Sequence, residues 1–537
     1  MAKTEGMRAD VIVVGAGLAG MTAALAAEQA GADVILVDRG PIGTGTNSAL
    51  SNGVFSGPDS AEAVAEYVKT VVQIGKRLNR LSYVKQVARE APAAVEFLNS
   101  LGLEIAHTRG MWAVRSPRPE VIPGITLVRR VAERVLERAR IRVERGVRVT
   151  RLLRTSGQAV GVWGFDLSGR AREVRGSAIV LACGGAGAIY AKHDNQGTIL
   201  GQGYHLAAEA GLDLWDMEFV QFYPIVLDEP GLPSVMIYPP YPPEARLLGP
   251  TGDDLLAKHD LGDINQAIVR KRDAFSAMIV EESSAGPVRM DLRAVPQSRW
   301  AVHPLSLLVR CRFDFRTTPV RITPGTHFFM GGVRTDADGQ TALAGLFACG
   351  EIVWGLHGAN RMGGNALMEC LVSGRIAGRG AARRALDEPT RAAGEISPEP
   401  PGTVEGARPA DLRGLRQRIR DAAWRCAGVV RSSEGMIEGL AEVERIRAAI
   451  ETVGATAPQE RTHREDLRSA AFVLQAVLAA GLARRESRGT FIRTDWPSQD
   501  DANWLKNSRL IWDPSRQRFN VEHIPVTQVH DLKNNSV

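Results

Sequence analysis

Cysteine is scarce in this chain: five among 537 residues, at Cys183, Cys311, Cys349, Cys370 and Cys426, with no C-x-x-C pair. That spacing argues against an iron–sulfur cluster or structural zinc held by this chain alone. It argues against a disulfide scaffold as well, and points to a reducing cytoplasm. Long apolar runs are also missing. The longest late one, AFVLQAVLAAGLA at 471–483, is too short to span a bilayer. The earlier run VIVVGAGLAGMTAALAA at 11–27 follows Glu5 and Asp10 and carries regularly placed glycines. It reads as a folded strand, turn and helix, not a secretion signal. No basic stripe accompanies the net charge of +6, so nucleic acid has no footprint here, whereas an acidic substrate fits. Low-complexity blocks and internal repeats are absent too.

What is present is an ordinary globular composition, 44% hydrophobic and 23% charged, with 55 glycines gathered in turn-like clusters. The length suggests about three to four domain-sized units. VIVV after Asp10 reads as a buried parallel strand, GAGLAG at 15–20 as a turn, and MTAALAAEQAG as a helix ending at Gly31. ADVILVDRG at 32–40 is a second strand with Asp38 at its end. Helices are expected at 60–74 and 83–99, antiparallel strands over 141–166, and another buried strand at 177–187. From about 226 the texture becomes Pro- and Gly-rich, then returns at 325–385. A Pro/Gly/Glu-rich linker at 386–408 precedes three amphipathic helices at 411–425, 433–452 and 463–486, and a loop-rich tail.

GAGLAG fits G-x-G-x-x-G: Gly15 makes the tight turn, Gly17 lets backbone approach a pyrophosphate, and Gly20 allows close helix–strand packing. The following helix N-terminus offers N–H groups and partial positive charge to phosphates. Asp38 stands where it accepts from ribose hydroxyls. Alone, the motif says only "dinucleotide", FAD or NAD. Three further segments narrow it: GTGTNSALSNG at 43–53, ACGGAG at 182–187, and GLFACGEIVWGLHGANRMGGNAL at 345–367. With GAGLAG, and in this order, they resemble the flavoprotein family of succinate dehydrogenase, fumarate reductase and L-aspartate oxidase. No second G-x-G-x-x-G follows a strand, which argues against a separate NAD domain.

The resemblance covers nearly the whole chain, including EFVQFYP at 218–224, THFFMGGV at 326–333 and ESRGTFIRTDWPSQDDANWL at 486–505. It implies an α/β fold: a Rossmann-like FAD-binding domain over 7–225 and 325–385, an inserted α+β capping domain at 226–324, and a C-terminal helical domain and tail at 409–537. It implies FAD contacts at Gly15, Ala16, Gly17, Ala19, Gly20, Asp38, Arg39, Thr46, Asn47, Ser48, Gly53, Val147, Ala182, Gly184, Gly185, Glu351, Asn365, Ala366 and Leu367. Glu351 is expected on the ribitol. Members that tether the flavin use a His in the 43–53 segment; Thr46 is the nearest equivalent, so non-covalent FAD is expected.

The family moves hydride between flavin N5 and a bond next to a carboxylate. His327 and Arg361 match the positions that relatives use on that carboxylate, and Arg suits bidentate recognition. Three positions depart from the pattern. Tyr223 replaces a substrate-binding His, and Ala277 falls where a proton-shuttling Arg is expected after Arg272-Asp273. Pro243-Glu244 replaces a Thr-Glu pair. Tyr223, helped by Glu244 or Arg246, is the candidate for moving the substrate proton; the alternative has Tyr223 merely lining a more apolar pocket. The resemblance therefore implies an FAD-dependent oxidoreductase for a small organic acid other than succinate or fumarate. A flavin-bearing electron relay without its own substrate is the competing reading. Electrons would leave through oxygen, a quinone, or an iron–sulfur or other electron-transfer subunit, with no membrane span in this chain.

Overall fold

The computed structural model describes residues 6–108, 111–118, 121–301, 305–389, 411–455 and 457–529. Five parallel strands form the central sheet in the order Leu346–Ala348, Ala178–Leu181, Val11–Val14, Val34–Asp38 and Ile141–Arg145. The inner strands are unbroken Val, Ile, Leu and Ala because both of their faces are covered. Ile141–Arg145 joins as a parallel edge strand, where its alternation suggests an antiparallel partner. A half-solvated edge strand alternates just as a hairpin strand does. Val147–Thr155 and Gln158–Asp166 do pair antiparallel.

The helix Leu18–Gln29 is buried over its first ten residues and lies against Asn365–Asp387. Small residues set their distance: a Cβ on Gly374 would sit 2.6 Å from Ala19 O, and one on Gly378 2.3 Å from Ala23 O. This backbone-to-backbone contact ties a segment more than three hundred residues away to the first glycine turn.

A second sheet runs Val220–Leu227, Val320–Phe329, Arg289–Asp291 and Arg246–Leu248, all antiparallel. Its own apolar cluster includes Ile225, Leu247, Phe275, Ile279 and Met290. The boundaries expected at 225 and 324 fall inside the two long strands of this sheet, which cross from one body to the other. The helix Ile264–Glu282 covers the sheet and breaks its helical backbone at Lys271.

At the C-terminal end three helices, Leu412–Ala427, Ser433–Thr452 and Pro458–Ala483, pack together. By length and composition Pro458–Ala483 is apolar enough to cross a membrane, but it is a buried core helix here. The expected loop-rich tail instead holds a hairpin, Lys506–Asp513 with Arg518–Pro525, which adds to Leu214–Trp215. Buried Asn507 and Ser508 interrupt the apolar signal that would have marked it. The linker segment lies outside the described residues from 390 to 408.

Candidate active site

The phosphate end of the site is made by glycines that no other residue could replace without a shift. Gly15 has φ +108°, and a Cβ there would sit 2.3 Å from Ala182 O; at Gly20 it would sit 1.9 Å from Gly15 O. Gly17 begins the helix Leu18–Gln29, which has neither a side-chain cap nor an acidic residue in its first turn. Its open N–H groups and partial positive charge suit an anion. Ser48 Oγ lies 3.4 Å from Leu18 N, Thr46 Oγ1 donates to Gly43 O, and Gly53 has φ +69°. Asp38 accepts from Ala16 N at 2.7 Å and Gly40 N at 2.7 Å, so Ala16 spends its N–H on Asp38. Val147 is buried at the start of its strand. Arg39 is held by Asp466, 427 residues later, through contacts of 3.0 and 2.6 Å.

A cavity of about 1390 Å³ opens beyond, lined by Asn47, Ser48, Glu351, Ala366, Leu367, Tyr223, His327 and Arg361. Glu351 is buried, accepts from Phe329 N at 3.0 Å and lies so close to Gly185 that a Cβ there would sit 2.0 Å from its Oε1. Burial pushes its carboxyl up to about 7. Gly184 has φ +70° beside it. Asn365 opens a helix behind Gly364, and its buried Nδ2 has no partner among the described residues. A Gly-lined cradle, two helix starts without side-chain caps and an orphaned buried donor beside a large cavity fit FAD.

Arg361 anchors the opposite side. Its Nε donates to Gln221 Oε1 at 2.9 Å, and its guanidinium lies 4.9 Å from the Phe328 ring centre. Burial, then the neighbouring Arg272, lowers it to about 9, still cationic at neutral pH. Gln221 stands two residues from Tyr223, on the same face of the strand. His327 Nδ1 lies 2.7 Å from Asp194 Oδ2, which leaves Nε2 for the cavity. The nearby His357 is buried against Glu369 at 2.9 Å.

Arg272 enters the same cavity. It donates to Asn360 Oδ1 and, at 3.3 Å, to Arg361 O, and it lies 3.5 Å from Asp273. Ala277, the position expected to carry the shuttle, packs against the main apolar core. Five residues along a helix is about 140° around it, so the two positions cannot face one cavity. The Arg272-Asp273 pair is itself the signal. Glu244 and Arg246 also fall away from the site: Glu244 pairs with Arg299 at 3.1 Å, and Arg246 is exposed on the strand that pairs with Asp291. The cavity wall comes instead from Val235, Met236, Tyr238 and Pro239. Finally, Tyr241 donates its hydroxyl proton to Ile237 O, so Tyr223, 2.9 Å from that hydroxyl, must donate to Tyr241. Burial raises the Tyr223 hydroxyl above its ordinary range. A phenol whose proton is spent and held tightly is a poor proton donor.

Comparison with known proteins agrees. The FAD binding domain family matches residues 10–367, and the fumarate reductase flavoprotein C-terminal family matches 416–535. The chain is 32% identical to L-aspartate oxidase of Caulobacter vibrioides over 91% of its own length and 94% of the relative's. It is 28% identical to the fumarate reductase flavoprotein of Mycobacterium tuberculosis, over 96% and 97% of the two chains. A solved quinol–fumarate reductase with menaquinol molecules shares the fold at TM-score 0.89 and 23% identity, covering 97% of this chain and 98% of that one. The chain belongs to the succinate dehydrogenase/fumarate reductase flavoprotein family, which includes L-aspartate oxidase, and is an FAD-dependent oxidoreductase.

Proposed function

We propose that this protein binds an organic acid by its carboxylate between Arg361, His327 and Arg272 and moves two electrons across the carbon–carbon bond beside it. The convergence of those three side chains on the cavity that holds Glu351 carries this reading. FAD, held by the glycine turn at 15–20 and by Glu351, would supply the hydride chemistry. Everything else falls to the chain. Arg361, fixed by Gln221, offers its terminal N–H groups to the carboxylate, each charge-assisted bond contributing about 1.5–3 kcal/mol. With both ring nitrogens protonated, His327 donates from Nδ1 to Asp194 and from Nε2 to the carboxylate. This polarises the acid and favours negative charge on the carbon next to it.

Arg272 is the group placed to move the proton. A guanidinium is a weak acid in water, yet a carbanion is a far stronger base than neutral guanidine, so transfer runs downhill. Asp273 beside it is partly exposed and can return the proton from solvent. Tyr223 then serves as wall, not acid. The FAD is non-covalent, since Thr46 stands where a tethering His would be. Electron exchange with a separate subunit is supported by the 28% identical relative, which is itself a flavoprotein subunit.

The test is anaerobic. The holoenzyme is reduced, then offered unsaturated acids while the flavin spectrum is followed. At least one acid should restore the oxidised spectrum, and Arg361→Ala should abolish this with FAD content unchanged. A protein whose flavin exchanges electrons with dyes but with no acid is a relay, and the proposal fails.

A further inference from the structure

Resting on that reading of the site, we infer that the preferred acid has one carboxylate and an apolar substituent at the far carbon of the reacting bond. The cavity lining falls into two unlike parts, which meet where Tyr223 stands with its ring centre 5.8 Å from that of His327. One holds Arg361, Arg272 and His327. The other is walled by Tyr223, Val235, Met236, Tyr238, Ile268 and Leu307, contributed by separate segments of the capping body. A four-carbon dicarboxylate would have to place its second carboxylate against this wall.

Tyr223 has no proton to give that carboxylate, and Tyr238, which has a partner of its own, offers at most one neutral hydroxyl. Tyr223 donates its proton to Tyr241, and Tyr241 donates onward to Ile237 O. Tyr223 therefore presents oxygen lone pairs and a ring to the cavity, and a carboxylate there would lose its water and meet acceptors. An unpaired buried charge of this kind costs several kcal/mol. Of the other cations lining the cavity, Arg488 is held by Glu486 and Asp501, and Lys76, Lys271 and Arg310 are exposed. In water such charges attract an anion by only about 1 kcal/mol at contact, too little to offset the desolvation. A flat aryl or short alkyl group meets the opposite situation, since burying it against Tyr223, Tyr238 and Ile268 is favourable.

In the reducing direction the step balances simply. The carbon–carbon π pair becomes two C–H bonds, one made with a hydride drawn from reduced FAD and one with a proton from Arg272. FAD is left oxidised.

The experiment uses FAD-loaded enzyme, titrated to full reduction with dithionite and mixed with crotonate, cinnamate, fumarate or maleate. Flavin reoxidation gives the rate, and mass spectrometry confirms the saturated product. Crotonate or cinnamate should exceed fumarate by roughly 100-fold in kcat/KM, the scale on which sites reject a partner they leave unpaired. Tyr223→His should narrow that ratio at least about tenfold by supplying a donor on the wall. The mirror arm offers butyrate, 3-phenylpropionate, succinate and L-aspartate to the oxidised enzyme, with the same order expected. Fumarate, maleate, succinate or L-aspartate turning over fastest would overturn this inference and leave the acid-binding reading standing. Reactivity with dyes but with none of these acids would overturn both.

Discussion

Arg361 is useful because it is buried, cationic and fixed at once. Gln221 holds its Nε, and Phe328 lies under its plane. That much is legible in the sequence, since the Asn-Arg pair sits in an ordered glycine-rich run. The proposed proton donor is legible only in part, through the Arg272-Asp273 pair. The residue that enters the cavity is Arg272, whereas the family spacing points five positions later, to another side of the helix. Arg272→Ala should lower turnover by about 10²–10⁴-fold without loss of FAD, measured by steady-state rate and flavin absorbance. Tyr223→Phe should keep turnover within roughly threefold, because its proton never reaches the substrate. Glu351 makes a pH prediction. Its carboxyl is raised by burial from 4.5 to about 7, so folded apoprotein holds a proton that the unfolded chain releases. Stability from this group is present at low pH and lost as pH rises through that window, a swing on the order of 3 kcal/mol. Between about pH 5 and pH 8, apoprotein carrying Glu351→Gln should show a smaller fall in Tm than the parent.

Among the elements, those that read most clearly are the ones whose pattern has a single physical cause. VIVV and AIVL are apolar throughout because they are covered on both faces, and GAGLAG is short because a turn must pass close to Ala182. Elements fixed by distant partners stay hidden. The hairpin Lys506–Asp513 with Arg518–Pro525 carries polar residues that find buried partners only in the folded chain: the Asn507 amide donates to Asp216 and the Ser508 hydroxyl to Glu218. The Pro-rich stretch after Met236 offers no period to fix a register, so the pattern puts Glu244 in a cavity that Tyr238 lines instead. Near that hairpin, Arg484 pairs with Glu218 at 2.7 Å and Glu486 at 2.9 Å, all fully buried. Arg484→Ala leaves two carboxylates without this cation, and should cost about 3–5 kcal/mol in denaturant unfolding.

At the scale of the whole molecule, the cofactor site draws on both ends of the chain. Asp466, on a C-terminal helix, pairs with Arg39 at the end of the FAD-binding sheet and with buried Arg148 at 2.9 Å. The glycine turn at 15–20 meets Gly350 and the helix Asn365–Asp387 only after more than three hundred further residues exist. At ribosomal rates of about 5–20 residues per second, that gap lasts roughly 20–70 s. During it the first strands and the glycine turn exist without the segment that carries Glu351 and the helix Asn365–Asp387. A nascent chain is thus a finished phosphate cradle waiting for its other wall, and chains stalled before residue 345 should emerge colourless, by absorbance of the isolated ribosome complexes, whatever the supply of flavin in the cell.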